Sequence, residues 1–328
     1  MSTIKVGSAE AGRGQIATGT IPVSKLAGGT PLDIPVIVIN GVQDGPCLWI
    51  DGAIHGDEPE GPITCHNLRR EIDPSQLHGS LVLVPVINVP AYEAASRGNP
   101  LDTFSYDMNR IYPGKPNGYL SERIAHAHSV WMTSVADLEL SIHSGGAHSY
   151  LAETIFATED APSQELARAM GEGWKLALKS FLPKGSPMAA MLEAGKTGIT
   201  VELGGRSATS PRGFHRVGRV LADAAINVMR HYKMYPGEAR YASPRYTGVQ
   251  HALLAPASGL FVAEESAEFL TFMKKGDKLA TIYDLYGQPL ETLVAPTDGM
   301  FFGLRALPNV TVGDWCCFFA EIQGTLPE

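Results

Sequence analysis

Asp51-Gly52-Ala53-Ile54-His55-Gly56-Asp57-Glu58-Pro59-Glu60-Gly61 follows an apolar run that starts at Cys47 and precedes a segment with helical patterning. Here the chain turns from a buried strand into a helix. Pro59 fits the first turn of that helix, where its missing N–H would have no partner in any case. Open α/β sheets bind ligands at such carboxyl ends of strands, which puts His55 and Glu58 in a favoured place. An imidazole and a carboxylate three residues apart across the turn can address one ion, and the pair suits zinc. His-x-x-Glu alone does not separate this from a hydrogen-bonded turn histidine followed by a carboxylate at the positive end of a helix.

Outward from this turn, between Thr30 and about Met234, short apolar runs alternate with amphipathic segments, the pattern of an α/β domain. Strands are expected at 34–39, 47–54, 80–87, 138–143, 154–157 and 198–203, and helices at 60–72, 121–135, 163–178 and 212–232. Tyr235 to Arg245 is rich in Pro, Gly, Ala and Ser, and β-type patterning with frequent turns follows it. Ala255-Pro256-Ala257-Ser258-Gly259-Leu260-Phe261 is echoed forty residues on by Ala295-Pro296-Thr297-Asp298-Gly299-Met300-Phe301. Each copy runs to a Gly-Asp turn, Gly276-Asp277 and Gly313-Asp314, and then to an apolar strand. The expectation is a larger domain over 1–240 and a small C-terminal β domain over 241–328, a pseudo-symmetric sandwich or barrel. The two halves resemble those of biotinyl and lipoyl carrier domains. The joining segment Tyr283 to Pro289 holds no lysine, however, so a structural role is expected, walling the site or serving assembly.

The 328 residues are 44% hydrophobic and 18% charged, enough for a substantial core. A net charge of -8 with interspersed signs leaves no basic stripe, which argues against nucleic acid and anionic membrane as partners. Met1 to Val23 lacks the cationic start and apolar run of a secretory signal, and no segment has about eighteen unbroken apolar residues. A cytoplasmic protein is expected. Cys47, Cys65, Cys316 and Cys317 form no CxxC pair, in keeping with a reducing compartment.

A catalytic zinc site takes a third protein ligand and keeps a position for water. Among ten histidines, His143 ends the apolar strand Leu138-Glu139-Leu140-Ser141-Ile142 and is the best candidate, with His148 as its competitor. His126 and His128, two apart on a helix, cannot share a face and are expected in solvent. So are His66, His78, His215, His231 and His251. Glu202 lies in the apolar strand Gly198-Ile199-Thr200-Val201-Glu202-Leu203, where a carboxylate marks a site or a salt bridge. Facing an activated water it is a natural general base; the alternative is a pair with Arg206, Arg212 or Arg216. A loop with Arg97-Gly98-Asn99-Pro100 and Tyr106-Asp107-Met108-Asn109-Arg110-Ile111-Tyr112-Pro113-Gly114 gathers guanidinium and amide groups suited to a substrate carboxylate.

In this order, His-Gly-Asp-Glu after a strand, Asp-Met-Asn-Arg, the strand-ending His143 and Val-Glu-Leu-Gly resemble the succinylglutamate desuccinylase and aspartoacylase family of the zinc carboxypeptidase-like superfamily. The resemblance implies an α/β/α sandwich with a mixed sheet plus a small C-terminal all-β, barrel-sandwich-like domain. It implies one Zn2+ per chain on His55, Glu58 and His143, with Glu202 as the catalytic glutamate. Arg97 matches the arginine that polarises the scissile carbonyl, and Asn109 and Arg110 the pair that grips a substrate carboxylate. The implied reaction is hydrolysis of the amide of a small N-acyl amino acid, with self-assembly left open. The alternatives are a metallocarboxypeptidase or a silent binding protein of the same fold. Two positions depart from the family. Ser141 stands where members often carry Asp, and Ser186 to Leu192 is uncharged where aspartoacylase places Tyr and Arg for an acidic acyl group. A smaller or apolar acyl group is therefore expected.

Overall fold

The computed structural model describes residues 3–102, 104, 107–179 and 184–326. A hairpin of β1 (Thr3–Val6) and β2 (Ala9–Gly12) leads into β3 (Gln15–Lys25), β4 (Pro31–Asn40) and β5 (Gln43–Asp51). Then follow α1 (Glu60–Glu71), β6 (His78–Val84), α2 (Val89–Glu93), α3 (Leu120–Val135), β7 (Leu138–His143) and β8 (Ser149–Ala157). After these come α4 (Ala161–Ala169), β9 (Leu176–Lys179), α5 (Pro187–Glu193), β10 (Thr197–Gly204) and α6 (Pro211–His231). The rest is β-structure: β11 (Arg245–Leu254), β12 (Gly259–Ala263), β13 (Phe272–Met273), β14 (Lys278–Tyr283), β15 (Pro289–Val294), β16 (Gly299–Arg305), β17 (Asn309–Val310) and β18 (Trp315–Leu326).

Among the described residues the main sheet runs β3-β4-β6-β5-β7-β10-β8-β9-β11-β18-β16-β13. Its centre, β6-β5-β7-β10, is parallel, and β8 joins β10 antiparallel, so the sheet is mixed. Leu48, Ile50, Leu140 and Val201 pack on one face with Cys65 of α1, Leu166 of α4 and Leu221 of α6. Trp49 and Val82 pack on the other face with Ile124 of α3, Met191 of α5 and Ile4 and Val6 of the first hairpin. This α/β/α layering explains why the central strands read as continuous apolar runs, since both faces are covered. Among the described residues no helix is long and apolar enough to cross a membrane.

The turn from β5 into α1 depends on two glycines. A Cβ on Gly52 would stand 2.5 Å from the Gly61 Cα, and a Cβ on Gly61 as close to Gly52, so neither position has room for a side chain. This close approach ends β5 at Asp51 rather than at residue 54, and leaves His55 to Glu58 as a loop over the sheet's end.

Several expectations are corrected. The helix expected at 163–178 ends at Ala169, because Gly171 adopts a left-handed backbone, and Leu176–Lys179 is instead β9, parallel to both β8 and β11. The sheet also begins earlier than Thr30, with β3 as an edge strand that tolerates Pro22. His128 is not in solvent: it is wholly buried, accepting from Trp49 Nε1 at 3.2 Å through Nε2 and lying 2.9 Å from the Tyr112 hydroxyl through Nδ1. Because Nε2 accepts, Nδ1 carries the proton, and burial pushes the imidazole pKa down to about 3.

In the C-terminal region the repeat appears as crossed hydrogen bonds. Gly276 N–H donates to Ala295 and Ala295 N–H to Asp277, while Gly313 N–H donates to Ala255 and Ala255 N–H to Asp314. Phe261 and Phe301, equivalent in the two copies, share one core. The copies then diverge: β12 lies in a four-stranded sheet, β15-β14-β12-β17, whereas β16 joins the main sheet. There it pairs with β18 on one side and with β8 on the other, placing Gly303, Leu304 and Arg305 against Leu151, Tyr150 and Ser149. Strands β8, β9, β11, β18 and β16 thereby close into a ring.

Candidate active site

His55 and Glu58 stand on the loop after β5, and His143 is the last residue of β7, two strands joined in parallel. Each side chain is therefore delivered at the same sheet end. His55 Nδ1 lies 2.8 Å from Glu58 Oε1, and His143 Nδ1 lies 3.0 Å from Glu58 Oε2. All three residues are 2% exposed, and their donor atoms lie within 4.8 Å of one another. Two imidazole nitrogens facing the two oxygens of one carboxylate make a donor set that fits zinc, with three protein ligands and room for a fourth group. His55 Nε2 is 3.1 Å from Asp107 Oδ1, a contact that fixes the ring and leaves Nδ1 for the ion. His148, the competing ligand, is exposed and away from this cluster.

Glu202 is the register partner of His143 on the adjacent β10, so it sits beside the donor cluster. Its Oε2 is buried without a hydrogen-bond partner. Arg206, Arg212 and Arg216 are exposed, and the cation that acts on Glu202 is Arg97 rather than any of these three. Burial pushes the Glu202 carboxyl well above the usual carboxylate range, the Glu58 charge adds to this, and Arg97 opposes it.

The loop of 97–110 closes the other side. Arg97 Nη2 donates to Asp107 Oδ2 at 3.0 Å, and Nη1 lies 3.7 Å from Glu58 Oε1. Asp107 also accepts from the Asn109 N–H at 3.0 Å and lies 3.8 Å from Arg110 Nη2. One carboxylate thus organises His55, Arg97, Asn109 and Arg110. Burial would raise its pKa, but the bond from His55 and the Arg97 charge outweigh that and hold it well below the ordinary range. Tyr106, at the start of the quoted loop, lies outside the described residues.

Sequence reasoning missed Asp107, whose signal was present as an aspartate capping the turn 108–110. It also missed Glu60, which accepts from Ser144 Oγ at 2.8 Å and from the Gly205 N–H at 2.9 Å, tying the loops after β7 and β10 together. Burial pushes its carboxyl up to about 7.

His55, Glu58, Arg97, Asn109, Arg110, His143 and Glu202 line a cleft with about 740 Å³ of free space, its open mouth included. The far wall is Leu151, Phe156, Gln250, Phe302, Trp315 and Phe318, from strands of the closed ring. The expectation that Pro187 to Leu192 shapes the acyl pocket is corrected. That segment is the buried helix α5, with Met191 in the core beside α3, and no residue of it lines the cleft.

A mixed-sheet α/β/α body with a C-terminal β region carries these groups at its strand ends. A succinylglutamate desuccinylase from Silicibacter sp. TM1040 shares the fold with a TM-score of 0.79 at 24% identity, over 94% of this chain and 95% of that one. The product-bound ectoine utilization protein EutE (DoeB) of Ruegeria pomeroyi aligns with a TM-score of 0.79 at 25% identity, over 93% and 94% of the two chains. The N-alpha-acetyl-L-2,4-diaminobutyric acid deacetylase of Halomonas elongata is 26% identical over 311 residues, 89% of this chain and 87% of that protein. Residues 44–229, more than half of the chain, match the succinylglutamate desuccinylase/aspartoacylase catalytic domain, and the chain belongs to that family.

Proposed function

We propose that the chain is a zinc-dependent deacylase that hydrolyses the amide of an N-acyl amino acid or a related small amide, releasing a carboxylate and an amine. The observation that carries this reading is the convergence of His55, Glu58 and His143 on one point beside the unpartnered Glu202 Oε2. A zinc ion held by these three residues, one per chain, would polarise the amide carbonyl, acidify a water and, as a dication beside Glu202, offset the effect of burial on that carboxyl. Glu202 takes the proton of the attacking water and returns it to the departing nitrogen. Arg97 sets a positive charge where the carbonyl oxygen becomes negative. Asn109 and Arg110 hold the substrate's free carboxylate.

Residues 1–240 serve as the hydrolase domain in this reading, and 241–328 as a β domain that walls its cleft. The deacetylase activity named for the Halomonas relative supports deacylation, and the wall that the C-terminal strands build along the cleft favours small amides over peptides. The test is metal analysis of the purified protein joined to a hydrolysis panel of N-acyl amino acids and peptides. One zinc per chain with turnover of N-acyl amino acids is expected. Turnover of peptides alone would replace deacylase by carboxypeptidase, and absence of bound metal would remove the zinc assignment.

A further inference from the structure

The two ends of the cleft differ in chemistry. Arg97, Asn109 and Arg110 make one end cationic, whereas the end beyond Glu202 carries no charged side chain among its described lining residues. The wall can be followed strand by strand. Glu202 pairs with Thr154 and Thr200 with Phe156 in the antiparallel β10–β8 ladder. Side chains two apart share a face, so Phe156 rises from the same surface as Glu202, one strand across and two residues back. Past it the ring of strands closes, and Leu151, Phe156, Phe302 and Phe318 meet in one apolar cluster, each between 1% and 7% exposed. Trp315 stands half exposed at the mouth with its ring edge-on to Phe318, centroids 5.7 Å apart. Gln250 adds a neutral amide.

We propose that this apolar end is the acyl subsite and that the substrate class is an amino acid N-acylated with an uncharged apolar group, medium-length aliphatic or aromatic, with Trp315 and Gln250 setting the selectivity. The assignment rests on the deacylase reading and refines it. With the amino-acid carboxylate at Asn109 and Arg110 and the scissile amide beside Glu202, the acyl group is the part that points into the ring. An acyl chain ending in a carboxylate or an ammonium finds no opposite charge there and loses its hydration without replacement. Each methylene buried on the phenylalanines instead strengthens binding about three- to fourfold.

The experiment compares kcat/KM of the zinc-loaded full-length protein for the acetyl, butanoyl, hexanoyl, benzoyl, succinyl and 6-aminohexanoyl derivatives of one amino acid. The rise from acetyl to hexanoyl is expected at about three- to fourfold per methylene. Both charged derivatives should fall at least about a hundredfold below hexanoyl. A flat neutral series, or a preference for either charged compound, overturns the subsite while leaving the deacylase reading standing. If no derivative is hydrolysed the deacylase reading fails, and calorimetric binding of the same compounds decides the subsite: tighter hexanoyl than acetyl binding supports it, equal affinity overturns it. Selectivity ratios within one protein are insensitive to partial misfolding, so two variants add a second readout. Gln250→Glu should move the 6-aminohexanoyl to hexanoyl ratio toward the ammonium by about tenfold or more. Trp315→Ala should lower the hexanoyl to acetyl ratio several-fold. Ratios unmoved in both variants take these two residues out of the subsite.

Discussion

Glu202 occupies the position where a single atom of difference is most informative. Glu202→Gln keeps the shape and removes the proton-accepting charge, so kcat is expected to fall by about two to four orders of magnitude with zinc content unchanged, the scale of a positioned acid-base group. Equal losses of metal and activity would instead make Glu202 a structural support of the donor cluster. His55→Ala and His143→Ala should each lose the metal, read by elemental analysis, because on the proposed reading each would supply one of three protein donors. Arg110→Lys should raise KM about tenfold for amides with a free carboxylate and leave neutral amides of the same shape less affected, since an ammonium cannot form the guanidinium's fork. His143 and Glu202 were legible in the sequence because each is a polar side chain at or inside the end of an apolar strand, where burial without function is costly; His55 stood out in the turn that follows such a strand, and Arg110 only through its place in the Asp-Met-Asn-Arg loop. Asp107 was harder to read because its worth lies in contacts with His55 and Arg97, fifty-two and ten residues away. His128 misled because spacing on α3 says that His126 and His128 diverge, but not which of them faces the core.

At the level of elements, β7 carries acid deep into the sheet. Glu139, Ser141 and His143 share one face of that strand. Ser141 donates to Asp51 Oδ1 at 2.8 Å, while both Glu139 oxygens are buried without partners. Burial pushes Asp51 up to about 7 and Glu139 well above the carboxylate range. An acid whose pKa is higher folded than unfolded favours folding while it is protonated, so that stability is complete below the unfolded value and is lost as pH rises through the folded one. The melting temperature of the wild type is therefore expected to decline between about pH 4 and pH 7. Asp51→Asn, which keeps an acceptor for Ser141, should flatten that decline. A pH profile as steep in the variant as in the wild type would show that Asp51 does not ionise in this window. Among the elements, the parallel core was readable from apolar runs bounded by turns. β9 was not, because four residues after Gly171 and Gly173 carry too little pattern to separate a strand from a frayed helix end.

For the molecule as a whole, the division near residue 240 can be tested by removing everything after it. In the full chain β11 pairs with β9, and Phe302 and Phe318 cover Leu151, Phe156, Leu176 and Leu178. A fragment of 1–240 should expose that surface and aggregate, scored by sedimentation of the soluble fraction. A soluble, monomeric fragment that still binds zinc would make the C-terminal strands an accessory to the cleft. The sequence repeat announced those strands but not their destination, because pairing between 303–305 and 149–151 leaves no local trace. That closure also imposes an order of events during synthesis. His55, Glu58, His143 and Glu202 have all been synthesised by the time residue 205 is added, whereas Phe302, Trp315 and Phe318 follow about a hundred residues later. A nascent chain thus holds the proposed reacting groups before it holds the ring proposed to choose among acyl groups, and on that reading discrimination is the last property the growing polypeptide acquires.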